Sequence, residues 1–451
     1  MTIFKAYDIR GKYPEEINEA IAYKIGRAFV TFTKCKDVMV GIDARTHSSS
    51  LADALIRGLT DQGATVTYIG LSTTPQTIAM HMWREHECAI MVTASHLDAP
   101  FNGFKMYTQG GRNITERYGM KELAAFVQKD VFISPAKKGV VHVKTDYTAE
   151  YARRIIELSP LNTAPLFVVD CSNGSVGPEL AEHLRNPGLQ LVVLNSEPDG
   201  TFPNHSPNPI APHACDQAAA EIKKRGAVGG CVFDADADRI TFLDETGKPV
   251  HPNFISCLLI QHILKHDSGR IVAYDLISSR VLPETISAAG GKPLRTRVGR
   301  NLLADDMREH KAVFAAESSS HMIYEKTAYA DSSTLSLRYM LTILNHAQQP
   351  LSALVRPFAK YFLLLETNYH IENPDHAIEA IEAAFPEATL DYLDGVTLTW
   401  PDGWVVARKS NTEPLLRIRA EADTADRLQE IKGRVEAVIL RLGGSWDKGN
   451  H

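Results

Sequence analysis

The stretch Cys231-Val-Phe-Asp-Ala-Asp-Ala-Asp-Arg-Ile-Thr-Phe242 sets three carboxylates, Asp234, Asp236 and Asp238, between two apolar runs. The runs read as short buried strands, so the carboxylates fall on a tight loop between them. Like charges this close repel unless something neutralises them. A hard divalent cation with oxygen ligands, Mg²⁺ first among them, answers that need. Arg239 adds a planar guanidinium suited to phosphate oxygens. Metal and arginine together point to phosphate chemistry.

Three rival readings of the same loop are weaker. With Glu245 the aspartates fit the ligand spacing of an EF-hand, but Arg239 stands where that loop needs glycine and the flanks read as strands. An Asp-x-Asp after a strand also resembles the nucleophile of haloacid-dehalogenase-type phosphatases, which usually carry Thr or Val in place of Asp238. A merely solvated acidic turn would not be hemmed in by buried strands.

Four further segments carry groups that suit phosphate or sugar. Met91-Val-Thr-Ala-Ser-His96 ends a buried strand on Ser95 and His96. Ligands bind at the carboxyl ends of parallel strands, so Ser95 reads as a nucleophile or phosphate carrier, against the plainer role of a helix N-cap. Asn102-Gly103 reads as a turn that aims Lys105 back at the same point. Arg408-Lys-Ser-Asn-Thr-Glu-Pro-Leu-Leu-Arg417 offers Ser410, Asn411 and Thr412 between two arginines, a grip for a phosphate dianion or a plain polar turn. In Ala316-Glu-Ser-Ser-Ser-His321, Glu317 and Ser319 suit sugar hydroxyls and His321 a proton shuttle, unless the segment only caps a turn. Near the start, Tyr7 and Arg10 face a ligand or, like Arg45, serve a structural ion pair.

The elements that must position these groups form three successive strand–helix alternations. Helical faces include Ile17, Ile21, Ile25, Ala28 and Phe29, then 51–59, 178–184, 216–224, 254–264 and 282–289. Strands read at 38–42, 64–69, 89–93, 166–170, 189–194, 228–233, 270–274 and 312–316. This order implies α/β three-layer units with mainly parallel, mixed sheets. The last stretch differs, with strands at 362–370, 391–400, 404–408 and 415–420 and helices at 377–384 and 424–442, a small antiparallel α+β domain. The expected domains are 1–145, 146–251, 252–361 and 362–451. No sequence repeat links them.

At 451 residues the chain exceeds one hydrophobic core. Its net charge of −6 argues against a nucleic-acid partner and requires any phosphate site to gather its cations locally. Six scattered cysteines without a Cys-x-x-Cys read as core thiols of a reducing compartment. No apolar run approaches the roughly 18 residues of a membrane span, and the start has no secretory pattern, so a cytoplasmic monomer or small homo-oligomer without membrane contact is expected.

Taken in order, the motifs resemble the α-D-phosphohexomutase superfamily over essentially the whole chain. The serine loop Thr93-Ala-Ser-His96, the metal loop Asp234–Arg239, the sugar loop Glu317–His321 and the phosphate loop Ser410-Asn-Thr-Glu-Pro414 fall one per unit, and Glu197-Pro-Asp-Gly-Thr-Phe-Pro-Asn204 resembles the segment preceding the metal loop. The resemblance implies four domains around a central cleft. It implies Ser95 as phosphoryl carrier and Mg²⁺ on Ser95, Asp234, Asp236 and Asp238. The transfer site would hold His96, Lys105, Arg10 and Arg239. Tyr7, Arg300, Glu317, Ser319 and His321 would face the sugar, and Arg408, Ser410, Asn411, Thr412 and Arg417 would grip the distal phosphate. Hexose 1-phosphate would become hexose 6-phosphate through a 1,6-bisphosphate, which also serves as activator. Mannose phosphate is the first substrate expected, with glucose phosphate beside it; phosphoglucosamine mutase or a weakened sugar-phosphate-binding protein are the alternatives. Departures cluster in the third unit: Arg300 and Ala304 replace the His and Lys of a frequent Gly-His-x-x-x-Lys, and Leu276 and Ile277 stand where a basic residue is common. Ala316 and Ser318 also vary the sugar loop, and alanines replace glycine in the metal loop.

Overall fold

A computed structural model describes residues 3–132, 135–410 and 415–447. Asn411 and Thr412 lie outside the described residues.

The first sheet has the order β1-β5-β4-β2-β3-β6, with β1 Ile9–Lys12, β2 Asp37–Ile42, β3 Thr65–Leu71, β4 Cys88–Val92, β5 Phe101–Tyr107 and β6 Val141–Val143. Strands β2, β3, β4 and β6 are parallel, and β5 returns antiparallel to β4. The second sheet has the order β10-β9-β7-β8, from β7 Ala164–Asp170, β8 Leu189–Leu194, β9 Gly229–Phe233 and β10 Ile240–Asp244. The third, β12-β11-β13-β14-β15, uses β11 Ile271–Asp275, β12 Lys292–Thr296, β13 Phe314–Ala316, β14 Met322–Tyr324 and β15 Ala330–Asp331. The fourth is antiparallel throughout: β16 Phe362–His370, β17 Thr389–Asp391, β18 Val396–Trp400, β19 Gly403–Lys409, β20 Leu415–Ala422 and β21 Ser445–Trp446.

One device recurs in all four sheets. β4 and β5, β9 and β10, β13 and β14, and β19 and β20 are antiparallel neighbours joined by a short connection. The connections are the serine, metal, sugar and phosphate loops. No sequence repeat announces this, because a hairpin constrains backbone direction and leaves side chains free to differ.

Alternation along each strand explains the layering. Val38, Val40 and Ile90 enter one core, with Ile25, Leu51 and Leu55 from helices Glu19–Thr33 and Ser48–Asp61. Met39 and Ala89 enter the opposite one. That second core is continuous through Phe167, Phe233, Leu258, Val272 and Phe314, so the first three sheets share it. The fourth sheet keeps its own core around Val405, Leu416 and Ile418, under helix Ala425–Arg441. It meets the third through a small apolar cluster of Leu276, Ile277, Trp404 and Val406.

Several local expectations are corrected. Ile17 precedes its helix, which starts after Asn18, whose side chain accepts from the Ile21 N–H. Asn102-Gly103 is no turn but part of β5. Glycine is needed there because an added Cβ would lie 2.0 Å from the Ile9 carbonyl oxygen on β1. The single strand expected at 391–400 is broken into β17 and β18. Helix Thr74–Trp83, unforeseen, is buried over most of its surface and so has no amphipathic period to read.

Candidate active site

Residues of the serine, metal and sugar loops, with Arg408, Arg417 and Arg419 from strands β19 and β20, line one cavity of about 480 Å³. Its wall carries seven cationic side chains, Arg10, Lys105, Arg239, Arg300, Arg408, Arg417 and Arg419, against five carboxylates, Asp8, Asp238, Asp275, Glu317 and Glu366. A chain of net charge −6 has thus gathered a local cationic excess.

At one end lies Ser95, buried and in the left-handed region at φ 53. No helix follows it, so the N-cap reading fails. Its backbone N–H bonds Thr93 Oγ1 at 2.9 Å. Arg45 supports the loop from below: it pairs with Asp43 at 3.0 Å and donates to the carbonyls of Ser95, Asp98 and Phe101. Arg45 is therefore structural. The segment around Gly200 packs against it, since a Cβ there would meet Thr46 N at 2.4 Å, and Phe202 stacks beneath its guanidinium. His96 Nδ1 lies 3.3 Å from Ser95 Oγ. Arg239, burial and Arg10 hold this imidazole well below its ordinary value, so it is neutral.

The metal loop is tied to the same end. Ala237 takes a left-handed φ of 57, a conformation that favours glycine. Lys105 Nζ bonds Asp236 at 2.7 Å and Asp238 at 2.6 Å. Burial alone would lower this ammonium's pKa, but the two carboxylates more than offset that and raise it. Thr74 Oγ1 donates to Asp236 at 2.6 Å from the N-terminal turn of its helix. Each aspartate nevertheless keeps one buried oxygen without a partner among the described residues, Oδ2 of Asp234 and Oδ1 of Asp236 and Asp238. One carboxylate oxygen from each lies within 4.8 Å of the others. Burial and the neighbouring Asp238 and Asp236 push Asp234 well above the usual carboxylate range. Orphaned, clustered oxygens of this kind fit a hard divalent cation. Glu245 is not among them; it caps a distant contact by accepting from Ser352, and the EF-hand reading falls.

On the third sheet, Glu317 accepts from Gly299 N–H at 3.1 Å and Ser319 Oγ at 2.5 Å. His321 Nε2 accepts from Arg239 Nε at 3.0 Å, which leaves the ring proton on Nδ1, facing Asp331 at 3.2 Å. Both nitrogens are engaged, so the expected proton shuttle has no free nitrogen to run on; His321, itself on the sugar loop, instead ties Arg239 of the metal loop to Asp331. Arg300 also pairs with Asp331, at 2.6 Å. At the far end, Arg408 and Arg417 share Glu366 at 2.7 and 3.0 Å. Ser410 N–H bonds Leu415 O at 2.8 Å across the loop base. Tyr7 and Arg10 line the cavity, Arg10 paired with Asp8 at 2.7 Å. His96, Asp234, Asp236 and Ser410 are not part of the cavity wall.

Residues 1–133, 146–247 and 251–361 match, in order, the phosphoglucomutase/phosphomannomutase alpha/beta/alpha domains I, II and III, and 366–438 match the C-terminal domain. The chain belongs to the phosphoglucomutase/phosphomannomutase family. As such it is an intramolecular phosphotransferase, a mutase of the isomerase class. It is 32% identical to the phosphomannomutase of Escherichia coli K12, over 98% of this chain and 99% of that one. It is also 32% identical to a phosphomannomutase/phosphoglucomutase of Pseudomonas putida, over 98% and 96%. A crystal structure of a phosphoglucomutase/phosphomannomutase family protein from Burkholderia thailandensis superposes with a TM-score of 0.90, at 28% identity and covering 99% of each chain.

Within this family's cavity, sequence reasoning missed Asp8, Asn113, Asp275, Glu366 and Arg419. Asp275 alone carried a usable signal, as a carboxylate ending a buried strand. Burial and Glu317 push it up to about 6, although Ser278 and Ser318 donate to it. Glu366 sits in a β-bulge between Leu364 and Thr367, which turns its side chain to the arginines. A bulge leaves no trace in an apolar alternation.

Proposed function

We propose that the protein interconverts hexose 1-phosphate and hexose 6-phosphate, mannose phosphate first and glucose phosphate beside it, through a phosphoryl group carried on Ser95. The observation that carries this is one cavity with two unlike ends: Ser95 with Lys105, Arg239 and the metal loop's Asp238 at one, and a cluster of guanidiniums at the other.

The O6 hydroxyl of hexose 1-phosphate attacks the phosphorus on Ser95. The bond to Ser95 Oγ breaks, and a 1,6-bisphosphate results. This turns end over end, Ser95 Oγ attacks the phosphorus at O1, and hexose 6-phosphate leaves. Arg10, Lys105 and Arg239 face the charge on the transferring group. The proton that O6 loses ends on the leaving Ser95 Oγ, and neutral His96 accepts that hydroxyl's hydrogen bond while the oxygen is unesterified. Glu317 and Ser319 accept from and donate to sugar hydroxyls. Tyr7, Arg300 and His321 complete that wall. Arg408, Ser410, Asn411, Thr412 and Arg417 hold the phosphate that is not being transferred, in either pose. Asp234, Asp236 and Asp238, with Ser95, would hold Mg²⁺, which when bound lends positive charge to the phosphoryl oxygens. Hexose 1,6-bisphosphate re-esterifies Ser95 after any loss of the intermediate, hence its place as activator. Free buried thiols and the absence of a helix long and apolar enough to cross a membrane, among the described residues, support a cytoplasmic setting.

The test is incubation with mannose, glucose or glucosamine 1-phosphate, Mg²⁺ and a trace of bisphosphate. Mannose 6-phosphate is expected to form fastest. Absence of 6-phosphate from every sugar would leave only a binding protein.

A further inference from the structure

The outer face of the fourth sheet carries three register pairs in a row. Trp404 faces Glu421, Val406 faces Arg419, and Arg408 faces Arg417. The first pair anchors the third domain: Glu421 accepts from Arg280 at 3.1 Å and from Trp404 Nε1 at 3.2 Å. Val406 packs with Ile277 in the small apolar cluster. The last pair shares Glu366. Arg419 is left over. It is 7% exposed and lines the cavity, yet its buried Nε has no acceptor and it forms no ion pair among the described residues. Asp275, across the cavity, is occupied by Ser278 and Ser318.

A buried guanidinium without a partner is costly, and the fold keeps one only where something else completes it. Burial pushes Arg419 below its ordinary value, although Asp275, Glu366 and Glu421 pull the other way. Nor does the third domain offer a cation here, because Ile277 forms that part of the wall. Arg408 and Arg417 share the carboxylate of Glu366, and Arg419 adds a third guanidinium that Asp275, Glu366 and Glu421 attract through space without an ion pair among the described residues. A phosphate monoester carries about −1.5 to −2 near neutral pH.

We propose that Arg419 is a third arginine of the phosphate clamp, binding the non-transferring phosphate of the hexose phosphate beside Arg408 and Arg417. The proposal rests on the mutase reading for the ligand's identity and on the geometry for the residue. It places the cation of the third-domain wall on the fourth domain, reaching across Val406 and Ile277.

The experiment measures mannose 6-phosphate binding by calorimetry, and turnover separately, for the wild type, Arg419→Gln and Arg419→Lys. Losing charge-assisted bonds to phosphate corresponds to roughly ten- to a hundredfold in affinity. Arg419→Gln is expected to bind that much more weakly, with a raised KM and a lesser change in kcat, and Arg419→Lys to recover part of the loss. Without phosphate, Arg419→Gln should unfold at the same or a higher temperature than the wild type, which a merely structural arginine would not allow. Binding of Arg419→Gln within twofold of the wild type overturns the proposal, as does a lowered unfolding temperature in phosphate-free buffer. Wild-type binding without turnover would sink the mutase reading and leave Arg419 to be judged by affinity; no wild-type binding at all overturns both.

Discussion

The two ends of the cavity neutralise charge in opposite ways. At the serine end, Lys105 spans Asp236 and Asp238, Thr74 and Thr93 donate to Asp236, and His321 links Arg239 to Asp331. These bonds join loops of the first three sheets, which share one core. At the clamp end, Arg408 and Arg417 share Glu366, Arg419 lies on the same sheet, and among the described residues none of the three Nε atoms has an acceptor. That sheet has its own core and touches the third through a small apolar cluster and ion pairs such as Arg280–Glu421. The serine end is thus assembled before a ligand arrives, and its unsatisfied atoms are carboxylate oxygens. The clamp end has unsatisfied donors. One asks for a cation and the other for an anion, which is the polarity a phosphoryl carrier and a phosphate grip require.

The largest expected effect tests the serine end directly. Ser95→Ala should lower turnover by a factor on the order of a thousand or more, while hexose phosphate affinity stays within severalfold, because the clamp is untouched. Turnover and calorimetric binding of the same preparation decide it; near wild-type turnover would remove Ser95 from its role. Next comes the preassembly itself. Lys105→Met strips the counterion from two buried carboxylates and should cost about 3–5 kcal/mol of stability in metal-free buffer. Millimolar Mg²⁺ should return part of that loss in chemical denaturation. No recovery with Mg²⁺ would separate the aspartates from metal binding.

This contrast also sorts what the sequence could and could not say. The clustering of Asp234, Asp236 and Asp238 was legible because three aspartates between apolar runs fall on one tight loop, and the position of Ser95 because it ends a buried strand. The strand order of the first three units followed from hydrophobic runs. The clamp was half legible: Arg408 and Arg417 bracket a polar turn, but Arg419 looks like any alternating strand residue until its register partner Val406 is seen against Ile277. Glu366 depends on a bulge, and Thr74 on a helix buried nearly all round. The turn expected at Asn102-Gly103 failed for a related reason. Glycine was there for close approach to Ile9, and the sequence alone does not distinguish that need from a need for positive φ.

Asp275, on the wall between the two ends, offers a pH test of how dry that wall is. Its folded value is pushed up to about 6, above the unfolded carboxylate. The folded state then holds the proton more tightly, so stability is greatest below about pH 4 as far as this group is concerned. It falls as pH rises to about 6 and stays level beyond, a loss of about 3 kcal/mol. Asp275→Asn should remove this slope between pH 4 and 6, measured as the difference in unfolding free energy from the wild type. Equal slopes in the two proteins would mean that solvent reaches Asp275 and that the wall is wetter than the geometry indicates.

The smallest effect falls on the clamp's one carboxylate, and its sign is the sharpest point of the comparison. Glu366 accepts from two arginines but is itself about a quarter exposed, so its pairs are screened. Glu366→Gln should cost about 1 kcal/mol in anion-free buffer, because Arg408 and Arg417 lose a partner. It should also bind inorganic phosphate several-fold more tightly, because no carboxylate then competes for the guanidiniums. The measurement is the unfolding midpoint against phosphate concentration. A variant that loses stability and regains more than the wild type with phosphate fits a cationic end held partly neutral until its anion arrives. Equal phosphate response in both proteins would break the contrast, since Glu366 would then be a structural partner and the clamp as self-sufficient as the serine end.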